Sequence, residues 1–411
     1  MKILMCNKYH FVLGGTERYL FDLMQGLRDD QHEVIVFAAR HPKNRPSVYA
    51  DYFVESDDYA RPQKKDMIRI DKALRFVYSR RAQRSLEKLL ADHRPDIAHI
   101  HNIYHHLTPS VLTALRKHHI PMVMTVHDYK LICPNYSLFT EGRVCERCKQ
   151  GRYYEAVLHR CVKDSRVSSA LAACEMTVHR VLRSYERAID VFIAPSKFVM
   201  QKLIDFGISA RKIVHLPLAI DLTRYVPAYE PGAYVLYAGT LYPKKGVHVL
   251  LEAARRLPEV EFKIAGEGPM RTELERLIAR NHLTNVQLVG YLDEDELKEA
   301  FAGALCVVVP SVWYEVACLT IYEAFASGKC VVASAIGAIP EIVRDGENGF
   351  LCEPGNAREL ADKIAFLVAH REKNIAMSRR AYEGIQTVRP AAHYQSMMEL
   401  YNTCIIKTRY R

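Results

Sequence analysis

The sequence predicts an α/β protein built as two parallel-sheet halves. Three observations carry that prediction. Short apolar runs alternate with longer helical segments along the whole chain, which is the pattern of parallel sheets with crossover helices. The runs are apolar almost throughout, as suits strands covered on both faces. A stretch containing Leu216-Pro217, Pro227, Pro231 and Gly232 separates the two series, and Pro/Gly-rich segments mark domain boundaries.

In the first half, Lys2–Cys6 and Glu33–Phe37 read as strands on either side of a helix over about 17–28. Residues 96–101 and 122–126 are two more strands, each led in by a proline, and Val191–Ala194 is another. In the second half the strands are Tyr234–Ala238, Glu261–Ala265, 286–289, 305–309 and 330–333. After Pro390 comes one more amphipathic helix, with Met397, Met398, Tyr401, Cys404 and Ile405 on one side. No strand follows it, so it is expected to return to the first domain. The expected domains are 1–216, with helix 390–411 packed back on it, and 217–389.

Composition narrows the function classes. At 411 residues, with 49% hydrophobic and 25% charged residues, the chain reads as a globular protein of about two domains. No apolar run approaches the roughly 18 residues of a spanning helix. Met1-Lys2-Ile3-Leu4-Met5-Cys6 is too short for a signal peptide and precedes no small-residue cleavage site. A cytoplasmic setting follows, with most of the 11 cysteines reduced. The net charge is +10, and between Arg61 and Arg94 11 Lys/Arg stand against four Asp/Glu. Two readings of that stretch stand open: a solvated helix face, or a docking surface for an anionic membrane, where each basic residue contributes about 1 kcal/mol. Nucleic acid is not an expected partner, since no helix-turn-helix, zinc-finger or aromatic RNA-reading motif accompanies the charge.

Ligands of open parallel sheets sit beyond the carboxyl ends of the strands, so residues just after strands are the informative ones. After the strand 305–309 come Glu315 and Glu323, seven residues apart, across a strand-to-helix turn. A helix starting near Cys318 directs free N–H groups and its positive end at an anion. The slim residues Ala317 and Cys318, with Leu319 and Thr320, let a diphosphate approach the backbone. Glu323, inside the helix, suits ribose hydroxyls, and Glu315 suits the sugar ring. A second element holds Gly239, Thr240, Lys244 and Lys245, where a lysine offsets phosphate charge that grows on bond breaking. A third, Gly266-Glu267-Gly268, lines a base or ribose pocket. A fourth is Gly290-Tyr291, whose ring suits stacking on a nucleobase.

Each element alone is weak evidence, but four in order are strong. Together they resemble the donor-binding half of the retaining family 4 glycosyltransferases, whose fold is the two-domain GT-B type with a cleft between Rossmann-like domains. The family's paired glutamates match Glu315 and Glu323, its lysine before glycine matches Lys245, and its later proline–glutamate matches Pro340-Glu341. Two departures stand out. Thr240 occupies a position where many members carry arginine, and Val316-Ala317-Cys318-Leu319 replaces the more usual glycine-containing run.

The resemblance extends to the first half. Leu13-Gly14-Gly15-Thr16-Glu17-Arg18 opens a helix after the first strand, with glycines that permit positive φ and close approach. The resemblance implies that this loop faces the donor diphosphate. It also gives His127, in His127-Asp128-Tyr129, a contact with the donor sugar. His101 also follows a strand and suits the acceptor pocket, whereas His99, His105 and His106 read as ordinary core or surface. Cys133, Cys145, Cys148 and Cys161 have spacings compatible with tetrahedral zinc. Structural zinc, free thiols and disulfides are the three readings, with zinc favoured by a reducing compartment. A subset of family 4 enzymes resembles this cysteine pattern.

The resemblance implies transfer from a nucleoside-diphosphate sugar to a hydroxyl of a glycan or lipid-linked acceptor. Glu315, His127 and Lys245 take the central roles, and no acidic cluster suggests a catalytic metal. The competing readings are a nucleotide-sugar epimerase or glycan phosphorylase on the same fold, and a non-catalytic sugar-nucleotide-binding or nucleic-acid-binding protein.

Overall fold

The computed structural model describes residues 1–55, 70–219, 221–386 and 390–409. Arg61, Lys64, Lys65 and Arg69 of the basic stretch lie outside them. The chain divides into two compact units. The first comprises Met1–Ser137, Glu146–Leu218 and Ala391–Arg411, and the second Leu138–Cys145 and Ala219–Pro390.

The first unit is built on strands β1 (Lys2–Cys6), β2 (Glu33–Phe37), β3 (Ile97–Ile100) and β4 (Met122–Thr125). A short antiparallel hairpin, β5 (Phe139–Thr140) and β6 (Arg143–Val144), precedes β7 (Val191–Ala194) and β8 (Ile213–His215). The sheet is parallel in the order β2-β1-β3-β4-β7-β8. Every residue of β3 and β4 is buried, which explains why both are apolar but for His99 and Thr125, whose side chains hydrogen-bond each other. Helix Pro390–Arg409 belongs to this unit from Ala391 onward. It buries His393, Met397, Tyr401 and Cys404, one face at helical spacing.

The second unit contains β9 (Tyr234–Ala238), β10 (Glu261–Ala265), β11 (Val286–Gly290), β12 (Ala304–Val309), β13 (Val331–Ser334) and β14 (Gly349–Cys352). They form a parallel sheet ordered β11-β10-β9-β12-β13-β14. Alternation builds a core on each face. Val235, Tyr237, Cys306, Val308 and Val332 join one apolar cluster, and Tyr234, Leu236, Val307, Val309, Val331 and Ala333 the other. Successive side chains of a strand point to opposite faces, so a strand covered on both sides is apolar at most positions on both faces. Among the described residues no helix is long and apolar enough to cross a membrane.

Candidate active site

In the second sheet, chain order reverses between β9 and β12: β10 and β11 extend one way, β12 to β14 the other. A crevice opens outside the carboxyl ends at such a switch point. All four elements singled out in the sequence arrive at this edge. Residues 239–246 follow β9, 266–268 follow β10, 290–291 close β11, and 310–319 follow β12. Their loops are stitched together, with Gly239 N donating to Ala265 O and Leu241 N to Glu267 O, each at 3.0 Å.

Lys245 Nζ donates to Glu315 Oε1 at 2.8 Å, and Ser311 Oγ donates to the same oxygen at 2.5 Å. The Glu315 side chain is 4% exposed and that of Lys245 25%. Burial pushes the Glu315 carboxyl up, but the Lys245 charge and hydrogen bonds from Lys245, Ser311 and Trp313 outweigh it, holding the group below its ordinary value. Burial pulls Lys245 down, and Glu315 more than restores it. Both groups are therefore charged at neutral pH.

The backbone fixes this pair. Gly246 has φ 71°, and a Cβ there would lie 1.8 Å from the Pro310 carbonyl oxygen. The turn carrying Lys245 thus presses against the segment leading to Glu315. Gly337 has φ 62°, and its Cβ would lie 2.3 Å from Glu315 N. Ala338 N donates to Glu315 O at 2.9 Å. Only glycine fits either position without strain.

Helix Leu319–Ala326 begins immediately after Glu315. Its N-cap, Cys318, makes no side-chain cap and Ile321 N donates back to Cys318 O at 3.0 Å, so what the helix start offers an anion is its positive end and the N–H groups of Leu319 and Thr320. Ala317 and Cys318, just before the helix, carry only short side chains. Thr320 Oγ1 reaches Ala238 O at 3.4 Å, tying the helix start to β9. One turn further in, the buried Glu323 accepts from Tyr225 Oη at 3.2 Å. Lys244, expected to assist with phosphate charge, instead holds Nζ 3.7 Å over the Trp313 ring, a cation–π contact. Thr240 is exposed, Glu267 is ion-paired with Arg271, and Tyr291 is 72% exposed at the sheet edge.

In the first sheet the order reverses between β1 and β3. Gly14 and Gly15 follow β1, but not for the reason the sequence suggested. Gly14 lies at φ −169°, an extended conformation open to any residue, and Gly15 starts helix Gly15–Asp29. A Cβ at Gly14 would meet nothing within 4 Å. What fixes the helix start is Glu17, whose Oε2 accepts from Gly14 N at 3.1 Å. His101 and His127 follow β3 and β4 and meet, with His101 Nδ1 2.9 Å from His127 Nε2. His99 and His106 are buried, and the partly buried His105 stacks on Phe76 with ring centroids 3.8 Å apart.

Structural zinc at Cys133, Cys145, Cys148 and Cys161 is not shown. Among the described residues no group of three or more His, Cys, Asp or Glu is placed to hold a metal ion. Cys133 Sγ bonds Asn135 Oδ1 at 2.9 Å, while Cys148 and Cys161 pack into a small apolar cluster with Tyr153 and Met176. No disulfide joins the described cysteines. Cys174, outside the four, is exposed. Three residues of the site were missed. Ser311 had a signal in its place directly after a strand, and Trp313 in being the chain's one tryptophan. Tyr225 had none.

Comparison with known proteins completes the site. A family model for Glycosyltransferase Family 4 matches residues 13–224, and one for Glycosyl transferases group 1 matches residues 224–384. The chain is a family 4 glycosyltransferase. This glycosyltransferase is 30% identical over 410 residues to glycogen synthase of Mycobacterium tuberculosis, covering 93% of this chain and 88% of that one. Its fold matches sucrose-phosphate synthase of Thermosynechococcus elongatus with TM-score 0.72 and 20% identity, over 99% of each chain. It also matches HepE of Anabaena, solved with UDP and glucose, with TM-score 0.69 and 19% identity over 98% of this chain and 99% of that one. These neighbours place the glycosyltransferase in the GT-B architecture of two Rossmann-like domains.

Proposed function

We propose that this enzyme moves a glycosyl group from a nucleoside-diphosphate sugar to an acceptor hydroxyl with retention at the anomeric carbon. The Lys245–Glu315 pair beside the uncapped start of helix Leu319–Ala326 carries the reading. It supplies a cation and N–H donors for a diphosphate, and a carboxylate for a sugar, at one switch point.

As the sugar–phosphate bond breaks, charge grows on the departing phosphate. Lys245 and the backbone at Leu319-Thr320 stabilise that charge. A phosphate oxygen takes the acceptor proton on the face it leaves, so the protein supplies no nucleophile. Glu315 and His127 orient the sugar, and Glu323 receives the ribose hydroxyls. Lys245 is the counter-charge, so transfer proceeds without a catalytic metal ion. Uridine nucleotides are the first donors to test, since HepE was solved with UDP and glucose. The acceptor is a glycan or lipid-linked glycan of cell-envelope or polysaccharide assembly, met at an anionic membrane surface by a protein otherwise in the cytoplasm.

The test is product analysis with UDP-sugars and glycan acceptors, reading the new linkage by NMR. The reading expects a glycoside of unchanged anomeric configuration, formed equally well in EDTA. An inverted product, an epimerised nucleotide sugar formed without acceptor, or activity abolished by EDTA while the fold persists overturns it.

A further inference from the structure

At the carboxyl ends of β3 and β4 the first unit buries a row of imidazoles. His99 is satisfied at both nitrogens: Nδ1 lies 2.7 Å from Tyr401 Oη, and Nε2 2.7 Å from Thr125 Oγ1. His101 stacks on it with centroids 4.2 Å apart, and on His127 at 5.2 Å. His101 Nδ1 faces His127 Nε2 at 2.9 Å. The opposite nitrogen, His101 Nε2, is buried without a hydrogen-bond partner. His127 is only partly buried, and with Nε2 turned inward its Nδ1 is the nitrogen left for a ligand.

Burial pushes both rings well below the ordinary histidine range, His127 to about 3. They are neutral, with one N–H each. A bond between two neutral imidazoles needs one donor and one acceptor, so two arrangements exist. If His127 donated from Nε2, the proton of His101 would sit on Nε2, leaving a buried N–H with no acceptor. If His101 donates from Nδ1, the unmatched group is only a lone pair. Orphaned buried N–H groups are rarer than under-satisfied acceptors, and the hydrogen bond at one ring nitrogen sets which nitrogen carries the proton.

We propose that His101 is a positioning residue for transfer. By donating from Nδ1 to His127 Nε2 it places the proton of His127 on Nδ1, so that His127 presents a hydrogen-bond donor to an oxygen of the donor sugar. The proposal rests on the sugar-contacting role given to His127 above. His99, locked by Thr125 and by Tyr401 of the C-terminal helix, backs the His101 ring.

The test is a long-range proton–nitrogen correlation spectrum of the full chain labelled with ¹⁵N-histidine, with His127→Gln to assign the resonance. His127 is expected as the Nδ1–H tautomer. In His101→Leu that preference should be lost and kcat fall about ten-fold, the scale of one hydrogen bond, with KM nearly unchanged. His101→Asn, whose amide can donate from nearly the same place, should recover most of the loss. An Nε2–H tautomer in the wild-type protein, or a His101→Leu variant with unaltered tautomer and turnover, overturns the proposal. Full activity in His127→Ala would instead remove the underlying role of His127, so the two failures are distinguishable.

Discussion

Lys245 and Glu315 lie 70 positions apart in sequence and 2.8 Å apart in the fold, one from the turn after β9 and one from the segment after β12. The pair spans the switch point of the second sheet. Glu315 is nearly buried while Lys245 keeps access to solvent, so the lysine stays charged and positioned before any anion arrives.

Glu315→Gln leaves the Lys245 ammonium and the Ser311 hydroxyl without their carboxylate. Removing one partner of a fully buried pair costs about 3–5 kcal/mol. Because Lys245 is a quarter exposed, solvent screening reduces the expected loss to roughly 2 kcal/mol. Urea unfolding measures that loss, and steady-state transfer should fall at least about a hundred-fold, the scale of about 2.7 kcal/mol of transition-state stabilisation.

Gly337→Ala tests the clasp on Glu315 from outside the charged pair. The added methyl meets Glu315 N at 2.3 Å in a left-handed backbone. The conformation alone costs roughly 1–2 kcal/mol, and the clash must shift Glu315. Turnover is expected to fall more than nucleotide affinity, because the displaced group is the one proposed to orient the sugar. Unchanged turnover in a folded variant would show that the loop 336–338 does not position Glu315.

Acid should destabilise the first unit in a defined window. Burial holds His127 at about 3 and His10 and His393 at about 4 in the fold, against about 6.5 when unfolded. Between those values the unfolded chain binds more protons, so stability is full above about pH 6.5 and declines as pH falls, levelling below the folded pKa values. Each such group contributes up to about 1.4 kcal/mol per pH unit within its window. Urea midpoints measured from pH 7 to pH 4 should fall accordingly, and less steeply in His393→Gln. A flat profile would contradict the neutral, buried histidines.

The basic helix gives a prediction about membranes. Arg80, Arg84 and Lys88 are exposed at four-residue spacing on helix Arg80–Asp92, with Arg81 beside them. At about 1 kcal/mol per basic residue near an anionic surface, the protein should float with phosphatidylserine vesicles at low salt. It should be released by roughly 0.5 M salt, where screening is short-ranged. Arg80→Ala/Arg84→Ala/Lys88→Ala should bind markedly less. Equal recovery with neutral vesicles would make the stretch a solvated helix face.

Strands such as β3, β4 and β13 were legible because burial on both faces makes them apolar at three of their four positions. β8 and β14 escaped for the opposite reason. β8 is three residues long with Val214 exposed, and β14 opens on Gly349. The site elements were legible by their position after strands, which the fold dictates. Their side-chain partners were not: Tyr225 meets Glu323 98 positions away, and Tyr401 meets His99 302 positions away. Gly14 was misread because sequence cannot tell a glycine needed for positive φ from one at an extended helix cap. The cysteine spacing left three readings open because sequence does not show that Cys148 packs among Tyr153, Ala173 and Met176.

Calorimetric titration of a nucleoside diphosphate into the wild-type protein and into Lys245→Ala most directly tests the grip on the donor. A charge-assisted hydrogen bond to phosphate contributes about 1.5–3 kcal/mol. The wild type should bind the nucleotide, and the variant about ten- to a hundred-fold more weakly. Equal affinity in the two proteins would mean that the diphosphate is held elsewhere.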